Sequence, residues 1–335
     1  MYNVGVIGCG AILVRHIEAI EDNKNFKLRA LCDSDGNVLS QAYNKYGGNG
    51  YTDYREMIDE GDINFVVVAT PNSLHFEQAK YALENGCDVL VEKPVSLNPD
   101  EVKELSEIAN TNGRKAYTVL QVRLNPTVKA LKKVLDDGLL GQIRGVSLTQ
   151  RWQRPYEYFT GWRSVASIGG GTLYECGIHY MDVMCHLFGK PNVKSSTTYN
   201  TKHFDCEIED TIYSLLDFGK FGGSLEVTIS AEPSNVECSI SLMAEKGYIK
   251  LGGKALDKVE VSKFENTQIK ADFEKIISGM GKSIKPNSYG DSDYQGSCPN
   301  HPNLYKNISN FRISESENVI EFIDEIYKLS DIKYY

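Results

Sequence analysis

The chain has 335 residues, 24% of them charged, with a formal net charge of −9. That length exceeds one ordinary core and points to two domains, while the acidic balance argues against nucleic acid or an anionic membrane surface as partner. No run of about 18 apolar residues is present, so no membrane span is expected. Eight cysteines are scattered without a Cys-x-x-Cys pair or zinc spacing, and no export signal precedes the first strand, so reduced thiols and a cytoplasmic location are expected.

Residues 4–7 form a first strand that runs into Gly8-Cys9-Gly10-Ala11-Ile12-Leu13 and then a helix to Ile20. Two glycines suit a tight turn whose peptide N–H groups approach a pyrophosphate, although Leu13 stands where a third small residue is usual. A second strand, 27–32, ends at Asp33, roughly 20 residues beyond the turn, where a carboxylate takes the ribose hydroxyls and repels a 2′-phosphate. The competing reading is a plain strand–turn–helix with a solvated aspartate. The stretch 66–94 is a β-α-β unit: an apolar strand stopped by Thr70-Pro71-Asn72, a helix over 73–85 closed by Gly86, and a second buried strand ending in Glu92-Lys93-Pro94. Ligands bind beyond the carboxyl ends of parallel strands, which directs Asn72, His75 and Lys93 toward one crevice. Asn98, Pro99 and the acidic residues after it start a helix over 101–112, and 116–120 is one more strand, ending at Gln121.

The pattern then changes. A helix over 126–137 is followed by strand-like runs at 143–151, 211–216, 223–230, 237–244 and 248–250, a polar loop over 282–299 and an amphipathic helix over 315–329. The fold class expected is α/β: an N-terminal Rossmann doubly wound sheet (1–122) and a C-terminal α+β domain (123–335) with a mostly antiparallel open sheet. Apolar residues on both faces of 211–216 and 225–229 call for a covered outer face, hence a homo-oligomer, dimer or tetramer. Between the regimes, Gly169-Gly170-Gly171 opens a helix over 172–188 on which Glu175, His179, Asp182 and His186 share one face. Such a stripe is a metal site, a solvated face or an active-site helix, and the residues alone leave this open.

The motifs Gly8-x-Gly10 with His16, Ala69-Thr70-Pro71-Asn72-Ser73-Leu74-His75, Glu92-Lys93-Pro94 and Gly169 through His179 together resemble the Gfo/Idh/MocA family of NAD(P)-dependent sugar and polyol oxidoreductases. The resemblance runs in order from residue 4 to about 190 and more loosely beyond. It implies NAD as cofactor, no metal, and a cofactor set of Gly8, Gly10, Ala11, Ile12, Asp33, Thr70, Pro71, Asn72, His75, Glu92, Lys93 and Gln121. It implies Lys93 on the hydroxyl being oxidised and His179 as acid/base, with Glu175 where Asp or Asn is usual. Within the family, residues 120–126, 151–155 and 161–163 look most like the nucleotide-sugar branch, whose members oxidise UDP-N-acetylglucosaminuronate at C3 for surface-polysaccharide synthesis. Arg123, Asn125, Arg151, Arg154 and Arg163, with Lys93, Glu175 and His179, are the substrate-binding candidates, since guanidinium groups pair with carboxylates and phosphates. A generic sugar or inositol dehydrogenase, an NAD-dependent glycoside hydrolase and a non-catalytic NAD-binding regulator are the alternatives. Which of Lys93 and His179 is the base stays open.

Overall fold

The computed structural model describes residues 1–280, 300–330 and 332–334; the polar loop expected over 282–299 lies outside them. The chain divides into two compact units, 1–120 with 301–320, and 121–300 with 321–335.

The first unit opens with β1 (Tyr2–Ile7), α1 (Leu13–Glu21), β2 (Phe26–Cys32), α2 (Gly36–Tyr46), β3 (Asn49–Tyr51), α3 (Tyr54–Glu60) and β4 (Phe65–Val68). It continues through α4 (His75–Glu84), β5 (Asp88–Val91), α5 (Pro99–Thr111) and β6 (Ala116–Thr118). The strands make a parallel six-stranded sheet in the order β3-β2-β1-β4-β5-β6. Every residue of β4 and β5 is buried, which is why both read as unbroken apolar runs: helices cover both faces of a doubly wound sheet. Gly86 has φ +85 after α4, and Asn98 accepts the Asp100 N–H at the start of α5, with Pro99 as its first residue.

The second unit holds α6 (Pro126–Asp136), β7 (Ile143–Arg151), α7 (Ala166–Gly169), a π-helical turn over Leu173–Gly177, α8 (Ile178–Phe188) and β8 (Asn192–Asn200). Then come β9 (Thr211–Asp217), β10 (Gly222–Thr228), β11 (Glu237–Ala244), β12 (Gly247–Gly252), β13 (Lys258–Phe264) and α9 (Thr267–Gly279). The eight-stranded sheet runs β13-β12-β11-β7-β10-β9-β8-β14, the last being Ile332–Tyr334. Only the β7–β10 and β8–β14 pairs are parallel, so the expected mostly antiparallel sheet is present. Along β7, Val146, Leu148 and Gln150 are buried while Ser147, Thr149 and Arg151 are half-buried, the alternation of a sheet with one covered face. Gln150 donates to the Cys176 carbonyl, so that face meets the segment carrying Glu175 and His179.

The domain boundary differs from the reading of two consecutive blocks. After the second unit the chain supplies α10 (His301–Lys306) to the first unit and then α11 (Glu317–Lys328), within which the division falls. The Thr118 N–H donates to the Phe311 carbonyl, and Tyr305 stacks edge-on against Phe26 at 5.0 Å. A segment from the far end of the chain thus completes the nucleotide-type half.

Candidate active site

The turn after β1 depends on Gly8. Its φ is +97, and a Cβ there would lie 2.4 Å from the Ala69 carbonyl oxygen, so the turn can rest on the end of β4 only without a side chain. A Cβ on Gly10 would meet nothing within 4 Å; the backbone there borders open space. α1 starts with no side-chain cap and no acid in its first turn, leaving the positive end of its dipole uncompensated, as a phosphate requires. Asp33, just past β2, accepts the Cys9 N–H at 2.8 Å and the Asp35 N–H at 2.9 Å through its two oxygens, which fixes the carboxylate at the turn. Turn, helix end and carboxylate fit the pyrophosphate and ribose of NAD.

The ends of β4 and β5 are braced from within. His75 is 1% exposed, with Nδ1 2.6 Å from the Pro94 carbonyl oxygen and Nε2 2.8 Å from that of Thr70. A neutral ring carries one N–H and so donates to one of these two carbonyls while packing against the other, between the two strand-end turns. Burial outweighs the two carbonyls and lowers its pKa. The Thr70 hydroxyl donates to Gln78 at 2.6 Å. Asn72 and Gln121 are both buried. Lys93, half-buried, follows β5 directly.

Glu92 is also turned inward. Its Oε1 lies 3.1 Å from Nε2 of both His16 and His301, and its Oε2 accepts the Lys93 peptide N–H at 3.1 Å. His16 Nδ1 is 3.0 Å from the Tyr305 hydroxyl. Burial raises the Glu92 carboxyl, but hydrogen bonds from the two imidazoles overcome that and hold it well below the usual carboxylate range. Sequence reasoning did not single out His301 or Tyr305, because no local motif marks them.

In the second unit, the segment bearing Glu175 and His179 starts on a clamp. Glu209 Oε1 accepts the Thr172 N–H at 2.8 Å and the Tyr327 hydroxyl at 2.6 Å, and that hydroxyl oxygen accepts the Leu173 N–H at 3.1 Å. Gly171, at φ +103, lies so close that a Cβ would stand 2.5 Å from the Tyr327 oxygen. Burial pushes the Glu209 carboxyl up to about 7. The helix expected over 172–188 is present, but the π turn at Leu173–Gly177 precedes α8, so Glu175 departs from strict α register with His179, Asp182 and His186.

The polar stripe has specific partners. Asp182 is 1% exposed and binds Arg123 in a bidentate pair, 2.8 Å to Nε and 2.6 Å to Nη2. Asn125 donates to the Ala255 carbonyl at 2.6 Å and accepts from Asn300 at 3.3 Å. Arg151 lies on the sheet face opposite Gln150 and pairs with Glu226 and Glu237 of the flanking strands. Arg123 and Asn125 are thus held inside the fold and Arg151 on the far sheet face, each engaged with protein groups. Arg154 is buried, at 3% exposed, and Arg163 half-buried, and both pack against aromatic rings. Arg154 stacks on Trp152 at 4.5 Å and Tyr158 at 5.3 Å, and Arg163 on Trp162 at 4.2 Å and Tyr158 at 5.0 Å. Glu175 accepts from Arg163 Nε at 2.9 Å and from the Tyr158 hydroxyl at 2.8 Å. The result is one guanidinium–aromatic–carboxylate cluster, with His179, 5% exposed, following on the same helical run.

A glycine turn under a fixed carboxylate, on a six-stranded doubly wound sheet, defines an NAD-binding Rossmann domain. Residues 2–120 match the oxidoreductase family with an NAD-binding Rossmann fold, and residues 128–250 match its C-terminal domain. The chain belongs to the Gfo/Idh/MocA family. It is similar to the WlbA dehydrogenase of Bordetella pertussis, solved with NADH and UDP-GlcNAcA: TM-score 0.87, 27% identity, covering 98% of this chain and 94% of that one. Levoglucosan dehydrogenase of Pseudarthrobacter phenanthrenivorans is 24% identical over 313 residues, 83% of this chain and 80% of that one. Oxidoreductase P35 of Formosa agariphila is 29% identical over 203 residues, 58% of this chain. The match to P35 spans 63% of its length.

Proposed function

We propose that this protein is an NAD-dependent dehydrogenase that oxidises a secondary hydroxyl of a sugar, and that the sugar is a UDP-N-acetyl-hexosaminuronate oxidised at C3 in surface-polysaccharide synthesis. The observation that carries the substrate class is the cluster of Arg154 and Arg163 on Trp152, Tyr158 and Trp162. Guanidinium groups backed by aromatic faces recognise pyrophosphate and carboxylate while the rings stack a base or sugar. The likeness to the WlbA dehydrogenase over nearly the whole chain supports the same reading.

NAD, when bound, accepts the hydride. His179 takes the hydroxyl proton, and the Lys93 ammonium donates a hydrogen bond to the oxygen as alkoxide character develops. Glu175, held by Arg163 and Tyr158, keeps the aromatic cluster in register with the helix that carries His179. Of the substrate set read from the sequence, Lys93, Arg154, Arg163, Glu175 and His179 remain in this proposal.

The test is NAD reduction with UDP-N-acetylglucosaminuronate, UDP-N-acetylglucosamine, glucose and inositol. The acidic nucleotide sugar is the expected best substrate. Lys93→Met is expected to abolish turnover while NADH binding persists, and His179→Ala to lower kcat by roughly 10²–10⁴. Preference for glucose or inositol, with Arg163→Ala harmless, overturns the substrate assignment. Turnover without net NAD reduction identifies a hydrolase instead.

A further inference from the structure

We propose that His301 and His16 are positioning residues for Lys93: their Nε2–H groups fix one oxygen of Glu92, and the other oxygen of that carboxylate fixes the Lys93 peptide N–H. The inference rests on Lys93 acting as proposed above, and it assigns a function to a residue 209 positions from Glu92.

Glu92 is 7% exposed, His16 and His301 are 0% and 1% exposed, and His301 Nδ1 has no protein partner among the described residues. With His16 neutral and protonated on Nε2, and His301 donating from Nε2, both rings donate to Glu92 Oε1 at 3.1 Å. His16 Nδ1 then accepts the Tyr305 hydroxyl proton at 3.0 Å. The edge-on packing of the two imidazoles, centroids 5.1 Å apart, lets both rings reach one oxygen. Burial lowers the pKa of His16 and so favours this neutral form.

The network joins α1, the end of β5 and α10. α1 begins at the pyrophosphate turn and carries His16; β5 delivers Glu92 and Lys93; α10 brings His301 and Tyr305 back from the end of the chain. A shift of the carboxylate would carry the Lys93 peptide with it, and with that the root of the amine. The three groups could also be taken for a metal-binding set, since their ligand atoms lie within 4.8 Å of one another. The 3.1 Å separations and the donor count favour hydrogen bonds, which leave no atom of Glu92 or His16 in need of a cation.

His301→Leu removes the donor, and His301→Gln returns an N–H of similar reach. With UDP-N-acetylglucosaminuronate and NAD, the leucine variant is expected to lose roughly ten- to a hundred-fold in kcat, the scale of a small misplacement. KM for NAD should hold, and the glutamine variant should regain most of the rate. A readout free of any substrate accompanies this: competitive acetylation of Lys93 by acetic anhydride, followed by peptide mass spectrometry. Its rate is expected to change in His301→Leu and return in His301→Gln, while other lysines keep theirs. If the leucine variant does not fold, Glu92→Gln carries the test with the same expected loss. Wild-type kcat and wild-type Lys93 labelling in a folded His301→Leu or Glu92→Gln protein overturns the proposal. So does stoichiometric zinc in the purified wild type that is lost with His301. An active Lys93→Met protein overturns the role of Lys93 itself, a separate failure.

Discussion

Glu209 offers a direct test of the clamp beneath the active-site helix. It is 2% exposed and its hydrogen bonds do not outweigh the cost of burying a charge, so its carboxyl is raised from 4.5 to about 7. The folded chain therefore holds this proton more tightly than the unfolded chain. Stability associated with it is fully present below about 4.5 and is lost as pH rises through about 7. The loss is roughly 3 kcal/mol, at about 1.4 kcal/mol per tenfold change in proton affinity. Glu209→Gln removes the titration and keeps an oxygen that accepts from Thr172 N–H and the Tyr327 hydroxyl. Urea unfolding of both proteins from pH 4 to 8.5 is the assay (the range brackets about 4.5 to about 7). Relative to its value at the acid end, the difference should move in favour of the glutamine variant by roughly 3 kcal/mol and level off at the alkaline end. A difference that stays flat across this range would mean that Glu209 is ionised in the folded protein, and the reasoning would fail.

Asp33 predicts tighter binding of NAD than NADP, and Asp33→Ala should narrow the gap; equal affinities for the wild-type protein in fluorescence titrations would contradict its facing the ribose. Asp182→Asn leaves the buried Arg123 without its counter-charge and should destabilise the fold by about 3–5 kcal/mol, read by denaturant unfolding. The outer face of the eight-stranded sheet exposes Tyr213, Leu215 and Met243 at 45%, 59% and 55%. Light scattering is expected to report a dimer or tetramer, and a monomer at micromolar concentration would rule out a sheet-face contact.

The doubly wound sheet was legible because its physics is local. Val66–Val68 and Val89–Val91 are buried on both faces, so each strand announces itself as an apolar run, and Gly8 and Asp33 stand at the ends such a sheet requires. Two strands at or next to the rim of the second sheet, β13 and β8, were not legible: they bury few of their residues and so carry little apolar signal. The partners of the candidate arginines were not legible for a related reason. A sequence displays arginines but not their partners: Arg123 meets Asp182 at 59 residues' separation, and Arg151 meets Glu226 at 75. Local pattern could supply neither, and the return of α10 to the first unit carries no periodic signal at all.

The two buried glutamates show how the same residue type is set to opposite ends of its range. Glu92 receives two imidazole N–H groups and a peptide N–H, and this outweighs burial and drives its pKa down. Glu209 receives a phenol and a peptide N–H on one oxygen, too little to offset the same desolvation, and its pKa rises. The difference matches their tasks. A charge at Glu92 gives three donors a common acceptor at the root of Lys93, where directional rigidity is wanted. Glu209 sits at the first turn of the segment bearing His179, against Gly171, where a Cβ would stand 2.9 Å from its second oxygen. Removing a donor from Glu92 should therefore make it resemble Glu209, with a carboxyl that protonates nearer neutrality and a looser hold on the strand end above it.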